Sequence, residues 1–175
     1  MSQETKTTVF VGGIYNWPVT LTKEERYKTK NYPRYNWADI DTTDSKYYDS
    51  VIAVFKKYKI SCVGQRCGKG FHVWGDLVPF ELWMKIWNEI RPFADPLWAP
   101  HTLRISKKRI NEVWERPIFY DFGTGLKPWM KSLMSFLCKV LRNENSNNIY
   151  NAMHQVGLDK FFQVVCYPVE IKNVC

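Results

Sequence analysis

The stretch that most constrains how this chain can fold runs from residue 36 to residue 74. It begins Asn36-Trp37-Ala38-Asp39-Ile40-Asp41 and ends Gly64-Gln65-Arg66-Cys67-Gly68-Lys69-Gly70-Phe71-His72-Val73-Trp74. Side chains on a strand alternate with a period of two, so Asp39 and Asp41 are expected on one face and Ile40 on the other. Like charges held that close repel, and a divalent cation between them is the usual resolution. Between the two ends, Thr42-Thr43-Asp44-Ser45 supplies helix-capping residues. Tyr48, Val51, Ile52, Phe55 and Tyr58 then recur at i, i+3, i+4 and i+7, which predicts an amphipathic helix. Segments 60–63 and 71–77 are expected to form a hairpin around the glycine-spaced basic loop, whose N–H groups and cations suit phosphates. The competing reading keeps Asp39 and Asp41 as helix caps or turn residues and His72 as a structural histidine.

These segments resemble, in order and spacing, the archaeo-eukaryotic primases and primase-polymerases. That family's first motif is an apolar strand ending in Asp-x-Asp or Asp-x-Glu, matched by Trp37-Ala38-Asp39-Ile40-Asp41. Its second is a glycine loop leading to Gly-Phe/Tyr/Ile-His, matched by Gly68-Lys69-Gly70-Phe71-His72-Val73-Trp74, with thirty-one residues from Asp41 to His72. The third, an acid upstream of a basic strand, is similar to Asp95-Pro96-Leu97-Trp98 followed by Thr102-Leu103-Arg104-Ile105. The Pro-Ser/Thr-x-His tail of many members is replaced by Ser106-Lys107-Lys108-Arg109. The resemblance covers roughly the central half of the chain.

The resemblance implies an α+β fold: an RRM-like antiparallel sheet with packed helices and a C-terminal helical portion. It implies one catalytic domain over 1–175, with a motif core at about 35–110 and an extension at about 117–175. It also implies metal-dependent, template-directed nucleotidyl transfer, as in a DNA primase or polymerase serving replication of a virus or plasmid. Mg²⁺ or Mn²⁺ would sit on Asp39, Asp41 and Asp95 as a two-metal site, because these hard ions prefer carboxylate oxygen. His72 would contact the triphosphate of the incoming nucleotide, and Arg104 would be a phosphate cation. Arg66 and Lys69 join that set by their place in the loop. The expected partners are a single-stranded DNA template, with RNA as the alternative, nucleoside triphosphates, and a helicase or other replication protein. Asp95-Pro96 also reads as a turn opener.

Composition enters where it limits partners. Among 175 residues, 25 Lys+Arg against 17 Asp+Glu give a net charge of +8, which favours a polyanion. Lys107, Lys108 and Arg109 form the densest basic run and are candidate nucleic-acid contacts, with a solvated face as the bland alternative. Eight Trp, 10 Tyr and 10 Phe suit base stacking, although core packing accounts for most such rings. Five cysteines without a Cys-x-x-Cys pair signal neither zinc nor a disulfide framework. The polar start and the lack of a long apolar run predict a soluble, intracellular protein with no membrane partner.

Strands are also expected at 7–14, 101–105, 117–122 and 161–167. Helices are expected from Pro79 to about Pro92, over 129–142, and in a short piece ending at Gly157. Two other function classes compete. A non-catalytic RRM finds its first motif imitated by Val9-Phe10-Val11-Gly12-Gly13-Ile14 and its second by Lys69-Gly70-Phe71-His72-Val73. A degenerate primase-like module would bind nucleotide or single-stranded nucleic acid without polymerising it. A rolling-circle nuclease wants a His-hydrophobic-His pair, which the chain lacks.

Overall fold

Strand alternation in the 36–74 stretch builds the sheet on which everything else rests. The computed structural model describes residues 5–15, 34–94, 102–105, 112–141, 149–161 and 164–173. The strands are β1 (Thr5–Tyr15), β2 (Arg34–Ile40), β3 (Cys62–Cys67), β4 (Gly70–Val78), β5 (Thr102–Ile105), β6 (Ile118–Tyr120) and β7 (Val164–Asn173). The helices are α1 (Ser45–Lys57), α2 (Phe80–Ile90), α3 (Pro128–Leu141) and α4 (Ile149–Gln155), with a 3-10 turn at Leu158–Lys160. The fold is α+β. One sheet has the order β2-β4-β3-β6, all antiparallel, and a second has the order β5-β1-β7.

Cross-strand register sorts the residues of the first sheet into two faces. Ile40, Phe71 and Arg66 lie in one row; Asp39, His72 and Gln65 lie in the next, on the opposite face. Helix α1 covers the first face. Its cap is Asp44, whose carboxylate accepts from Lys46 N at 3.0 Å. Tyr48 stacks on Phe71 with ring centroids 4.7 Å apart. Val51, Val54 and Phe55 of α1 join Trp83, Ile86 and Ile90 of α2 in a buried cluster with Ala38, Ile40, Phe71 and Val73. On the other face the start of α3 packs down: Trp129 Nε1 donates to Asp76 Oδ1 at 3.3 Å. The sheet is therefore covered by helices on both sides, as a two-faced apolar sheet requires.

The expected hairpin forms, but not with the expected loop. Segment 64–67 continues β3, and the turn is only Gly68-Lys69, with Cys67 paired to Gly70. Gly68 has φ 55°, as the first central position of a two-residue type II′ turn requires. Gly64 serves packing instead: a Cβ there would lie 2.3 Å from the Tyr48 hydroxyl. The N–H groups assigned to a phosphate loop are thus largely ladder donors. Strand β1 pairs with β7 from Thr5↔Asn173 to Ile14↔Val164, joining the two ends of the chain. No helix among the described residues is long and apolar enough to cross a membrane.

Candidate functional site

The pairing of β2 with β4 sets Asp39 directly opposite His72, and the side chains meet, His72 Nε2 to Asp39 Oδ1 at 3.2 Å. Their side chains are 17% and 37% exposed, respectively, so the pair lies half open at the end of a buried face. The His72 ring is fixed by its neighbours. Trp74 stands edge-on to it at 5.5 Å between centroids, and Trp37 at 6.2 Å. Both tryptophans are buried, so they shape this wall without offering an open stacking surface.

Asp41 lies one residue past the end of β2 and is exposed. Its place is set by Gly70, the first residue of β4. A Cβ on Gly70 would come within 2.2 Å of the Ile40 carbonyl oxygen and 3.5 Å of the Asp41 Cα. Only a residue without a side chain lets the two strands approach so closely here. The reading of Asp41 as a helix cap loses its basis, since Asp44 fills that role and Thr42 Oγ1 accepts from Asp44 N at 3.2 Å. Lys69 is exposed on the hairpin turn beside this end of the sheet.

Arg66 is not where the sequence reading put it. It sits on β3, in the row of Phe71, on the face opposite His72. Its guanidinium lies over the Phe71 ring at 5.4 Å and 3.6 Å from Glu115 Oε1, so a strand and not a loop fixes it. Arg104 belongs to β5, in the sheet that contains β1. Asp95, Lys107, Lys108 and Arg109 lie outside the described residues. The chain leading toward Asp95 approaches α1: Phe93 meets Tyr47 edge-on at 6.2 Å.

Gln65 was missed. It is buried on the other side of His72 from Asp39, with Nε2 donating to the Glu115 carbonyl at 2.9 Å and Oε1 accepting from Cys67 Sγ at 3.1 Å. A hairpin register counted from a Gly68-Lys69 turn would have found it. The neighbouring Cys67 thiol is pushed well above its ordinary range by burial, and further by the charges of Asp39 and Glu112. It stays protonated at neutral pH and is no nucleophile.

Among the described residues, no three His, Cys, Asp or Glu side chains gather closely enough to hold a metal ion. The half-open carboxylate of Asp39 and the exposed one of Asp41 at a sheet end nevertheless fit Mg²⁺, which keeps several waters and is commonly held by one or two carboxylates together with substrate phosphates. Such a site offers oxygen donors, a ring-fixed imidazole and a nearby ammonium group to an anionic, phosphate-bearing ligand. Comparison with protein-family models, with curated proteins and with solved structures gives no match.

Proposed function

We propose that the chain is a metal-dependent, template-directed nucleotidyltransferase of the primase-polymerase kind, acting in DNA replication. Its nucleotide site is the end of the sheet where β2 leaves and β4 begins. The observation that carries this reading is the register that sets Asp39 against His72, with Asp41 held beside Gly70 just beyond. Asp39 and Asp41, with Asp95 as third acid, are the residues that would hold Mg²⁺ or Mn²⁺. When bound, the ion offsets triphosphate charge and polarises the reacting oxygens.

The chain's own groups bind and orient. His72 donates to an oxygen of the incoming triphosphate, its ring kept in plane by Trp37 and Trp74 and its Nε2 side steered by the Asp39 carboxylate. Lys69 adds an exposed positive charge at the turn, and Arg104 is a further phosphate cation. Lys107, Lys108 and Arg109 are proposed template contacts. Arg66 is left out, because it faces the other side of the sheet.

The RRM reading is the weaker one. Its two imitating segments fall in different sheets, Val9–Ile14 in β1 and Lys69–Val73 in the β3–β4 hairpin, whereas an RRM stacks bases on both motifs within one sheet. The burial of Trp37 and Trp74 also removes them as base platforms. The test is incorporation of labelled nucleotides on a single-stranded template with Mg²⁺ or Mn²⁺, with and without primer. Chain extension by the wild type and its loss in Asp39→Ala/Asp41→Ala is the expected result. Extension undiminished in that variant overturns the assignment, and binding without extension by the wild type leaves a non-catalytic module.

A further inference from the structure

Helix α3 differs from the other two long helices in its charges. Its sequence Pro128–Leu141 contains no Asp or Glu, while α1 carries Asp49 and α2 carries Glu81 and Glu89. Lysines fall on one row at spacings of four and then eight residues: Lys127 just before the helix, then Lys131, then, past Ser135, Lys139. The row spans about 18 Å at the rise of a helix. Lys127 and Lys131 are exposed, and their ammonium groups have no hydrogen-bond or ion-pair partner among the described residues, whereas Lys139 donates to Gln155 Oε1 at 3.0 Å. In contrast, Lys57 of α1 is matched by Glu89 at 2.5 Å. Cations at a helix start also oppose the helix dipole. An all-positive row there is a local cost that a bound polyanion would relieve.

The placement of the row relates it to the site. Helix α3 packs on the His72 face through Trp129 and Asp76, and Asp76 is four residues along β4 from His72, about 13 Å at strand rise. We propose that the Lys127–Lys131 row of α3 is a contact surface for the phosphate backbone of single-stranded nucleic acid, carried by the helix that packs on the His72 face of the sheet. Its role as a template track rests on the function proposed above; the binding itself does not.

The test measures binding of a labelled, unstructured DNA oligonucleotide across a range of salt, with no metal or nucleotide present. Lys127→Glu/Lys131→Glu and the milder Lys127→Gln/Lys131→Gln are compared with Lys56→Glu/Lys85→Glu, which makes the same charge change on exposed lysines of α1 and α2. The expected result is a loss of at least tenfold at low salt for the α3 charge reversal. The slope of log affinity against log salt should fall by about 1.4 for both α3 variants, at about 0.7 per phosphate contact on a single strand. The α1/α2 variant should keep its slope. Equal losses in the two charge-reversal variants, or an unchanged slope in the α3 variants, overturn the proposal. So does an α3 variant that loses binding to anionic phosphatidylserine vesicles while keeping the oligonucleotide. Because no nucleotide is present, absence of polymerase activity in the wild type leaves this result standing.

Discussion

His72 is the residue on which catalysis and simple strand binding part. Its Nε2 already has a carboxylate partner, Asp39 at 3.2 Å, and two buried indoles flank its ring, so the ring is held in one orientation. His72→Ala should weaken nucleotide binding about tenfold or more, since a charge-assisted hydrogen bond contributes roughly 1.5–3 kcal/mol. Oligonucleotide affinity should stay nearly unchanged. A loss confined to the oligonucleotide, in paired titrations of the same variant, would assign His72 to strand binding. A second residue-scale prediction concerns pH. Tyr48 is held well above its ordinary value of 10.0, by burial first and then by its hydroxyl contact with Tyr120 at 2.7 Å. The folded state therefore keeps the proton that the unfolded chain releases. Stability from this group is fully present below pH 10 and is lost as pH rises further. Burial raises the thiols of Cys62 and Cys67 above 9.0 in the same sense, so the decline starts near pH 9. Urea unfolding from pH 8 to 11 should show Tyr48→Phe losing less stability above pH 10 than the wild type; parallel curves would refute the role of Tyr48.

At the scale of elements, the β3–β4 hairpin shows what glycine can and cannot reveal in a sequence. Gly64, Gly68 and Gly70 all suggested a loop, yet they do three different things. Gly64 makes room for Tyr48, Gly68 takes the positive φ of the turn, and Gly70 lets β4 lie against the end of β2. Spacing alone cannot separate a glycine needed for backbone conformation from one needed for contact across a sheet, which is why Arg66 was read as a loop residue although it lies on β3. The α1 and α2 helices were legible because their apolar period and their starts at Asp44 and Pro79 are local signals. Gly70→Ala should destabilise by about 1–3 kcal/mol, as overpacking does, because the obstacle is the Ile40 carbonyl and not a side chain that can swing away. It should also loosen Mn²⁺ binding by displacing Asp41. Denaturant unfolding and metal titration check the two effects, and a variant of wild-type stability and metal affinity would show that the strands part there without cost.

Over the whole molecule, local pattern stops being informative where partners are far apart in the chain. The strand character of β1 and part of β7 is written in their β-branched residues, but nothing in either segment says that they pair with each other across the full length of the chain. The same pairing puts the RRM-like segment Val9–Ile14 in a different sheet from His72, a separation no motif spacing discloses. Whole-molecule charge, by contrast, is readable at once and yields a sharp expectation. The net charge of +8 favours a polyanionic partner, while Asp39 and Asp41 are proposed to act only through a cation. Replacing both with alanine removes two negative charges from that end of the sheet. Oligonucleotide affinity measured without metal should therefore be equal to or higher than that of the wild type, with the same salt slope, since that slope counts lysine and arginine contacts with phosphate. Nucleotide incorporation by the same variant should vanish. Weaker oligonucleotide binding or a changed slope would mean that these acids organise the binding surface itself, and the division between a basic track that holds the strand and an acidic end that handles the nucleotide would fail.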